Sequence, residues 1–190
     1  MKRQDRLSTG IDGLDEILSG GLLRERAYRV TGGAGTGKTT VGLHFLTAGL
    51  EAGEDVLFVA FEEDPADLAS DAAELGFDTG DISFLDLSPD ADRFVAEDSY
   101  DVFEPDVVEG SGVSERIVEA VEETEPDRVF VDPLSHLQYL APDEYQYRQE
   151  VAGFVTYLTG EGATVLFSSQ AALEGERPTL EYLCDGSIRL

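Results

Sequence analysis

Gly32-Gly33-Ala34-Gly35-Thr36-Gly37-Lys38-Thr39 decides how this chain is read. The stretch fits G-x-x-x-x-G-K-[ST], in which the backbone N–H groups of a glycine-rich turn form an anion-binding nest at the start of a helix. Lys38 is one of two lysines in 190 residues, the other being Lys2. Arginine supplies nearly all the remaining positive charge, so a lysine at this position answers a chemical need. A compact ammonium reaches phosphate oxygens as a point charge where a wide, planar guanidinium fits poorly. The Thr39 hydroxyl is placed to ligate Mg²⁺. The expected binding set is Gly33, Ala34, Gly35, Thr36, Gly37, Lys38, Thr39 and Thr40.

Such a loop must follow a buried strand and open a helix. Residues 27–31 are short and β-prone. Residues 40–50 place Val41, Phe45 and Ala48 on one helical stripe, with Gly42, Leu46, Gly49 and Leu50 beside it. Both flanks suit a nucleoside triphosphate site.

Working outward, strand and helix alternate, which predicts an α/β domain with a mostly parallel sheet covered on both faces. A short helix is expected at 12–18 and a buried strand at 55–60. A helix follows over 65–75, with Asp64 as N-cap, Pro65 in its first turn and Gly76 as its stop. Further strands are expected at 82–87, 127–132, 163–168 and 187–190, and helices at 114–124 and 143–160. Residues 88–112 are rich in Asp, Glu, Pro and Gly and read as an acidic excursion or lid. The length suits one domain over residues 1–190.

Forty acidic against thirteen basic residues give a formal charge of −27, spread along the chain and not gathered in a tail. Such a surface repels itself in dilute salt. At about 1 M salt the screening length falls to ~3 Å and the repulsion fades. With so little lysine, this composition suits a halophile's cytoplasm; an acidic surface for basic partners is the alternative. A nucleic-acid partner is disfavoured, because no basic stripe is available to neutralise phosphates. There is no run of eighteen apolar residues and no secretory h-region, so neither a membrane span nor a signal peptide is expected. The single cysteine, Cys184, is expected to be a small buried hydrophobe.

Three further groups carry candidate chemistry. Asp132 ends the apolar run Arg128-Val129-Phe130-Val131, roughly 90 residues after the glycine loop. A carboxylate at the carboxyl end of a parallel strand can hold Mg²⁺ beside such a loop. Glu62 and Glu63 follow the strand at 55–60, where a carboxylate can orient or deprotonate an attacking water; the plain alternative is two more surface acids. Ser168-Ser169-Gln170 sit at another strand end, with Ser169 and Gln170 as candidate γ-phosphate sensors. His44, His136, the tyrosines 139, 145 and 147, and Arg148 read as packing or local pairing.

These residues resemble the KaiC-type ATPase domain of the RecA superfamily across nearly the whole chain. Residues 6–22 (Arg-Leu-Ser-Thr-Gly-Ile-Asp-Gly-Leu-Asp-Glu-Ile-Leu-Ser-Gly-Gly-Leu) resemble that family's lead-in. Phe61-Glu62-Glu63-Asp64-Pro65 resembles its paired glutamates, Val129 to Asp132 its Walker B strand, and Cys184-Asp185-Gly186-Ser187-Ile188 its Ala-Asp-Gly-Val-Ile strand. The resemblance implies a RecA-like P-loop fold, binding of ATP and Mg²⁺, slow hydrolysis, and a hexameric ring with nucleotide between subunits. Family members continue past this last strand into Lys- and Arg-bearing strands that act on the neighbour's nucleotide. Relative to them the sequence is truncated at Leu190, and such fingers are worth ~10³–10⁵ in rate. The expectation is therefore a weak, regulatory or signalling ATPase, or a site completed by a protein partner. A nucleotide-binding module with little turnover is the alternative. A DNA-dependent recombinase-like ATPase is disfavoured, since residues 170–182 hold three Glu and one Arg.

Overall fold

The computed structural model describes residues 6–88, 109–140, 143–170 and 181–190. A two-stranded antiparallel ribbon, β1 (Arg6–Leu7) with β2 (Leu22–Leu23), brackets the short helix α1 (Asp12–Ile17). Then come β3 (Ala27–Gly32), α2 (Lys38–Glu51), β4 (Val56–Ala60), α3 (Pro65–Glu74) and β5 (Ser83–Asp86). They are followed by α4 (Glu109–Thr124), β6 (Arg128–Asp132), a 3-10 turn (Leu134–His136), α5 (Leu137–Leu140) and α6 (Glu144–Gly160). β7 (Thr164–Gln170), a second 3-10 turn (Glu181–Leu183) and β8 (Gly186–Arg189) complete the order.

Six strands form one sheet in the order β5-β4-β6-β7-β3-β8, every pairing parallel. Parallel neighbours require crossovers, and the intervening helices cover both faces of the sheet. Phe58, Phe130, Leu166 and Val30 pack with Phe45 and Leu46 of α2 and Leu68 of α3. On the other face Val59, Val131, Val165 and Phe167 pack with Ile117 and Val121 of α4 and Val151, Val155 and Leu158 of α6. The central strands β4, β6 and β7 are buried on both sides, which is why they read as continuous apolar runs.

The expected elements all form, with shifted ends. α2 starts at Lys38, so the lysine is part of the helix itself. Asp64 caps α3 by accepting from the Ala66 N–H at 2.7 Å. Asp143 caps α6 by accepting from the Gln146 N–H at 2.9 Å. α4 begins at Glu109, earlier than the apolar periodicity indicated, so residues 109–112 are helical. The rest of the acidic excursion, 89–108, lies outside the described residues, as do 171–180 of the segment 170–182. β7 runs on through Gln170, because its backbone keeps pairing with Thr31 and Gly32 of β3. The ribbon β1–β2 and the short turns after β6 were not expected. Cys184 is half-buried against the α4–α6 core, not enclosed in it.

α2 lies very close on β6. A Cβ added at Gly42 would fall 2.2 Å from the Phe130 ring, and one at Gly49 would fall 2.8 Å from the Arg128 side chain. Arg128 is 1% exposed and paired with Glu54 at 2.6 Å. It also donates to the carbonyls of Ser8, at 2.6 Å, and Phe45, at 2.9 Å. Desolvation pulls its pKa down, which the bonds and charge of Glu54 oppose. The lead-in is thereby tied to the middle of α2. Asp15 tightens the same corner, accepting from Ser8 Oγ at 2.6 Å, Thr9 Oγ1 at 2.7 Å and Thr9 N–H at 2.8 Å.

Candidate functional site

The carboxyl ends of β3, β4, β6 and β7 meet at one edge of the sheet, where parallel α/β proteins gather ligands. Between β3 and α2 the chain must turn sharply. Gly35 (φ +72°) and Gly37 (φ +93°) supply the left-handed backbone that this turn demands. A Cβ at Gly35 would meet no atom within 4 Å, so conformation and not crowding selects glycine there. Thr36 Oγ1 donates to the Gly33 carbonyl at 3.0 Å, and Lys38 Nζ donates to the same carbonyl at 2.8 Å. The ammonium is folded over the loop.

A cleft of about 230 Å³ opens beside the loop, lined by Ala34, Gly35, Lys38 and Thr39, by Glu62 and Glu63, and by Asp132 and Gln170. Phe58, Leu68 and Pro133 give it an apolar wall. Gly33, Thr36, Gly37 and Thr40 belong to the same turn and helix start without lining that cleft. Thr39 Oγ1 donates to Asp132 Oδ2 at 2.6 Å. Ser168 Oγ donates to the other carboxylate oxygen, Oδ1. Asp132 is thus gripped from the helix on one side and from β7 on the other.

β7 explains which of its three polar residues matters. Side chains alternate across a strand, so Ser168 and Gln170 share the face of Asp132 and Ser169 takes the opposite one. Ser169 is 3% exposed, has no hydrogen-bond partner for its Oγ, and does not line the cleft. Ser168 was the residue to single out: it has the parity of the buried Leu166, which packs on the α2 face.

Glu63 reaches solvent, yet desolvation pushes its carboxyl above the ordinary range; the charges of Asp132, Asp71, Glu62 and Asp67 add to this. Glu62 has a neighbour that no sequence pattern announced. His136 Nδ1 lies 3.3 Å from Glu62 Oε1.

This donor set fits a nucleotide phosphate with a hard divalent cation. Hydroxyl and carboxylate oxygens suit Mg²⁺, which keeps several waters and leans on phosphate oxygens. Among the described residues no group of three or more His, Cys, Asp or Glu could hold a metal ion by itself. A cation here would lean on Thr39, Asp132, water and its ligand's oxygens. The crowd of carboxylates around Glu63 favours positive charge in the cleft.

An all-parallel sheet of this order with a glycine nest opening its central helix is a P-loop fold of the RecA type. The family described as ATPase: KaiC matches residues 7–190, and the chain belongs to it. A UPF0273 protein of Aeropyrum pernix is 34% identical over 98% of this chain and 77% of its own length. A UPF0273 protein of Pyrococcus horikoshii is 32% identical over 97% of this chain and 77% of its own length. The circadian clock oscillator protein KaiC of Parasynechococcus marenigrum is 31% identical over 87% of this chain, which spans 32% of that protein. No helix among the described residues is long and apolar enough to cross a membrane.

Proposed function

We propose that the chain binds ATP with Mg²⁺ and hydrolyses it slowly, in a regulatory or signalling role. The observation that supports this most directly is the convergence of Lys38, Thr39, Glu62, Glu63 and Asp132 on one cleft. In this reading the amides of residues 33–38 and the Lys38 ammonium hold the phosphates, with Thr40 in the first turn behind them. Thr39 and Asp132 hold Mg²⁺, which when bound supplies neutralising charge to the phosphate oxygens. Glu62 or Glu63 accepts a hydrogen bond from water and orients it for attack. Gln170 faces the cleft and is the better placed of the two sensor candidates, because Ser169 points away.

The test is ATP titration and steady-state hydrolysis in molar KCl, with Lys38→Ala, Glu62→Gln and Glu63→Gln beside the wild type. Tight binding lost in Lys38→Ala, with turnover lost in a glutamate variant, supports the enzyme. Binding with no turnover sensitive to these substitutions favours the interaction module. Stimulation by single-stranded DNA would revive the recombinase reading. Light scattering with and without ATP decides whether copies assemble into a ring; a monomer in both states removes that expectation.

A further inference from the structure

Glu62 is more than half exposed and carries a long, flexible side chain. A carboxylate that must orient water needs a fixed position, and fixing it costs rotamer entropy. The fold supplies a support from one side. His136 closes the 3-10 turn Leu134–His136 that follows β6. Its ring lies nearly parallel to that of Phe61, 7° between planes and 6.3 Å between centroids. Phe61 is buried and immediately precedes Glu62, and its N–H donates to the Asp132 carbonyl at 3.0 Å. The imidazole is therefore backed by a fixed aromatic ring, and its Nδ1 faces Glu62 Oε1 at 3.3 Å. The two atoms stand at ion-pair distance without hydrogen-bond alignment, as catalytic contacts commonly do before substrate arrives.

We propose that His136 is a positioning residue for Glu62, holding Oε1 through Nδ1 so that Oε2 is presented to water in the cleft. This rests on the reading of Glu62 as a water-orienting carboxylate. Because the turn that carries His136 follows directly from Asp132, the same backbone locates the proposed Mg²⁺ ligand and the support of the carboxylate. Beyond the parallel ladder of β4 and β6, one backbone bond and one side-chain pair then join the segments that follow the two strands.

Two measurements test it on the full chain. The first is the ¹⁵N spectrum of the imidazoles. The chain holds two histidines, so His44→Gln assigns both signals. A proton on Nδ1 of His136, with signals that shift in Glu62→Gln while those of His44 stay, supports the proposal. A neutral His136 protonated at Nε2, or one indifferent to Glu62→Gln, overturns it. The second is kinetic. His136→Ala is expected to lower kcat roughly 10- to 100-fold and to change the Kd for ATP by less than about threefold. His136→Asn, whose amide nitrogen takes the place of Nδ1, should restore most of the rate. His136→Gln, whose nitrogen falls where Nε2 lies, should not. In a Glu62→Gln background His136→Ala should cost nothing further. If Glu62→Gln stops turnover and His136→Ala does not slow it, the proposal falls and the reading of the site stands. If Glu62→Gln turns over like the wild type, the reading of Glu62 fails and takes the proposal with it. Parallel losses in kcat and ATP affinity would assign His136 a merely structural part and overturn it too. Should turnover be too slow to measure, the imidazole spectrum decides alone.

Discussion

The Thr39 hydroxyl donates to Asp132 across 2.6 Å, joining the first turn of α2 to the end of β6 although 93 residues separate them. The pair places a neutral donor and a carboxylate where one small cation can reach both. Asp132→Asn and Thr39→Val are each expected to weaken ATP binding about tenfold or more when Mg²⁺ is present, on the scale of one charge-assisted contact. They should alter binding little in EDTA. Calorimetric titrations with and without Mg²⁺ check this; equal losses under both conditions would place the defect in folding and not in the cation.

Gly42 and Gly153 should respond to alanine with opposite signs. Both sit inside helices, where alanine is favoured over glycine by about 1 kcal/mol. A Cβ at Gly42 would drive into the Phe130 ring, whereas one at Gly153 meets nothing within 4 Å. Gly42→Ala should cost ~1–3 kcal/mol through overpacking, and Gly153→Ala should gain up to about 1 kcal/mol. Urea unfolding of the two variants separates them, and a stabilised Gly42→Ala would refute the close contact of α2 with β6.

Asp15 offers a pH test. Burial works to raise its pKa, but the hydrogen bonds from Ser8 and Thr9 outweigh this and hold it below the ordinary aspartate range. A depressed carboxylate stabilises the fold above its unfolded pKa, and the contribution is lost as pH falls through the folded value. The stability difference between wild type and Asp15→Asn should therefore be constant from pH 7 down to about 4 and shrink below that. A difference that grows on acidification would show the sign to be wrong.

Charge predicts a steep response to salt. With a formal charge of −27, the folded chain should gain stability as KCl rises from 0.1 M into the molar range, where the screening length drops from about 10 Å to about 3 Å. Thermal melts across this range provide the measurement. A melting temperature that is flat or falling in KCl would refute the halophilic reading of the composition.

Much of the fold was legible because its signals are local. The buried strands show as apolar runs, Asp64 and Asp143 announce helix starts, and Gly35 and Gly37 mark a turn with positive φ. The ribbon Arg6–Leu7 with Leu22–Leu23 was not legible, since two-residue strands leave no periodicity to count. Ser168 against Ser169 turned on where β7 ends, and that end is set by pairing with Gly32, far away in sequence. His136 is farther out of reach still: nothing around it in the chain points to Glu62, and only the parallel register of β4 and β6 brings them together.

That register has a consequence for the order in which the protein is made. β3 carries the glycine loop and β6 carries Asp132, but they are not neighbours; β7 lies between them. A nascent chain that has emerged only as far as residue 163 holds both and lacks the strand that spaces them. In the proposed reading, nucleotide capture must then wait until β7, residues 164–170, has left the ribosome, and a ligand added during translation can reward only chains that already carry that strand.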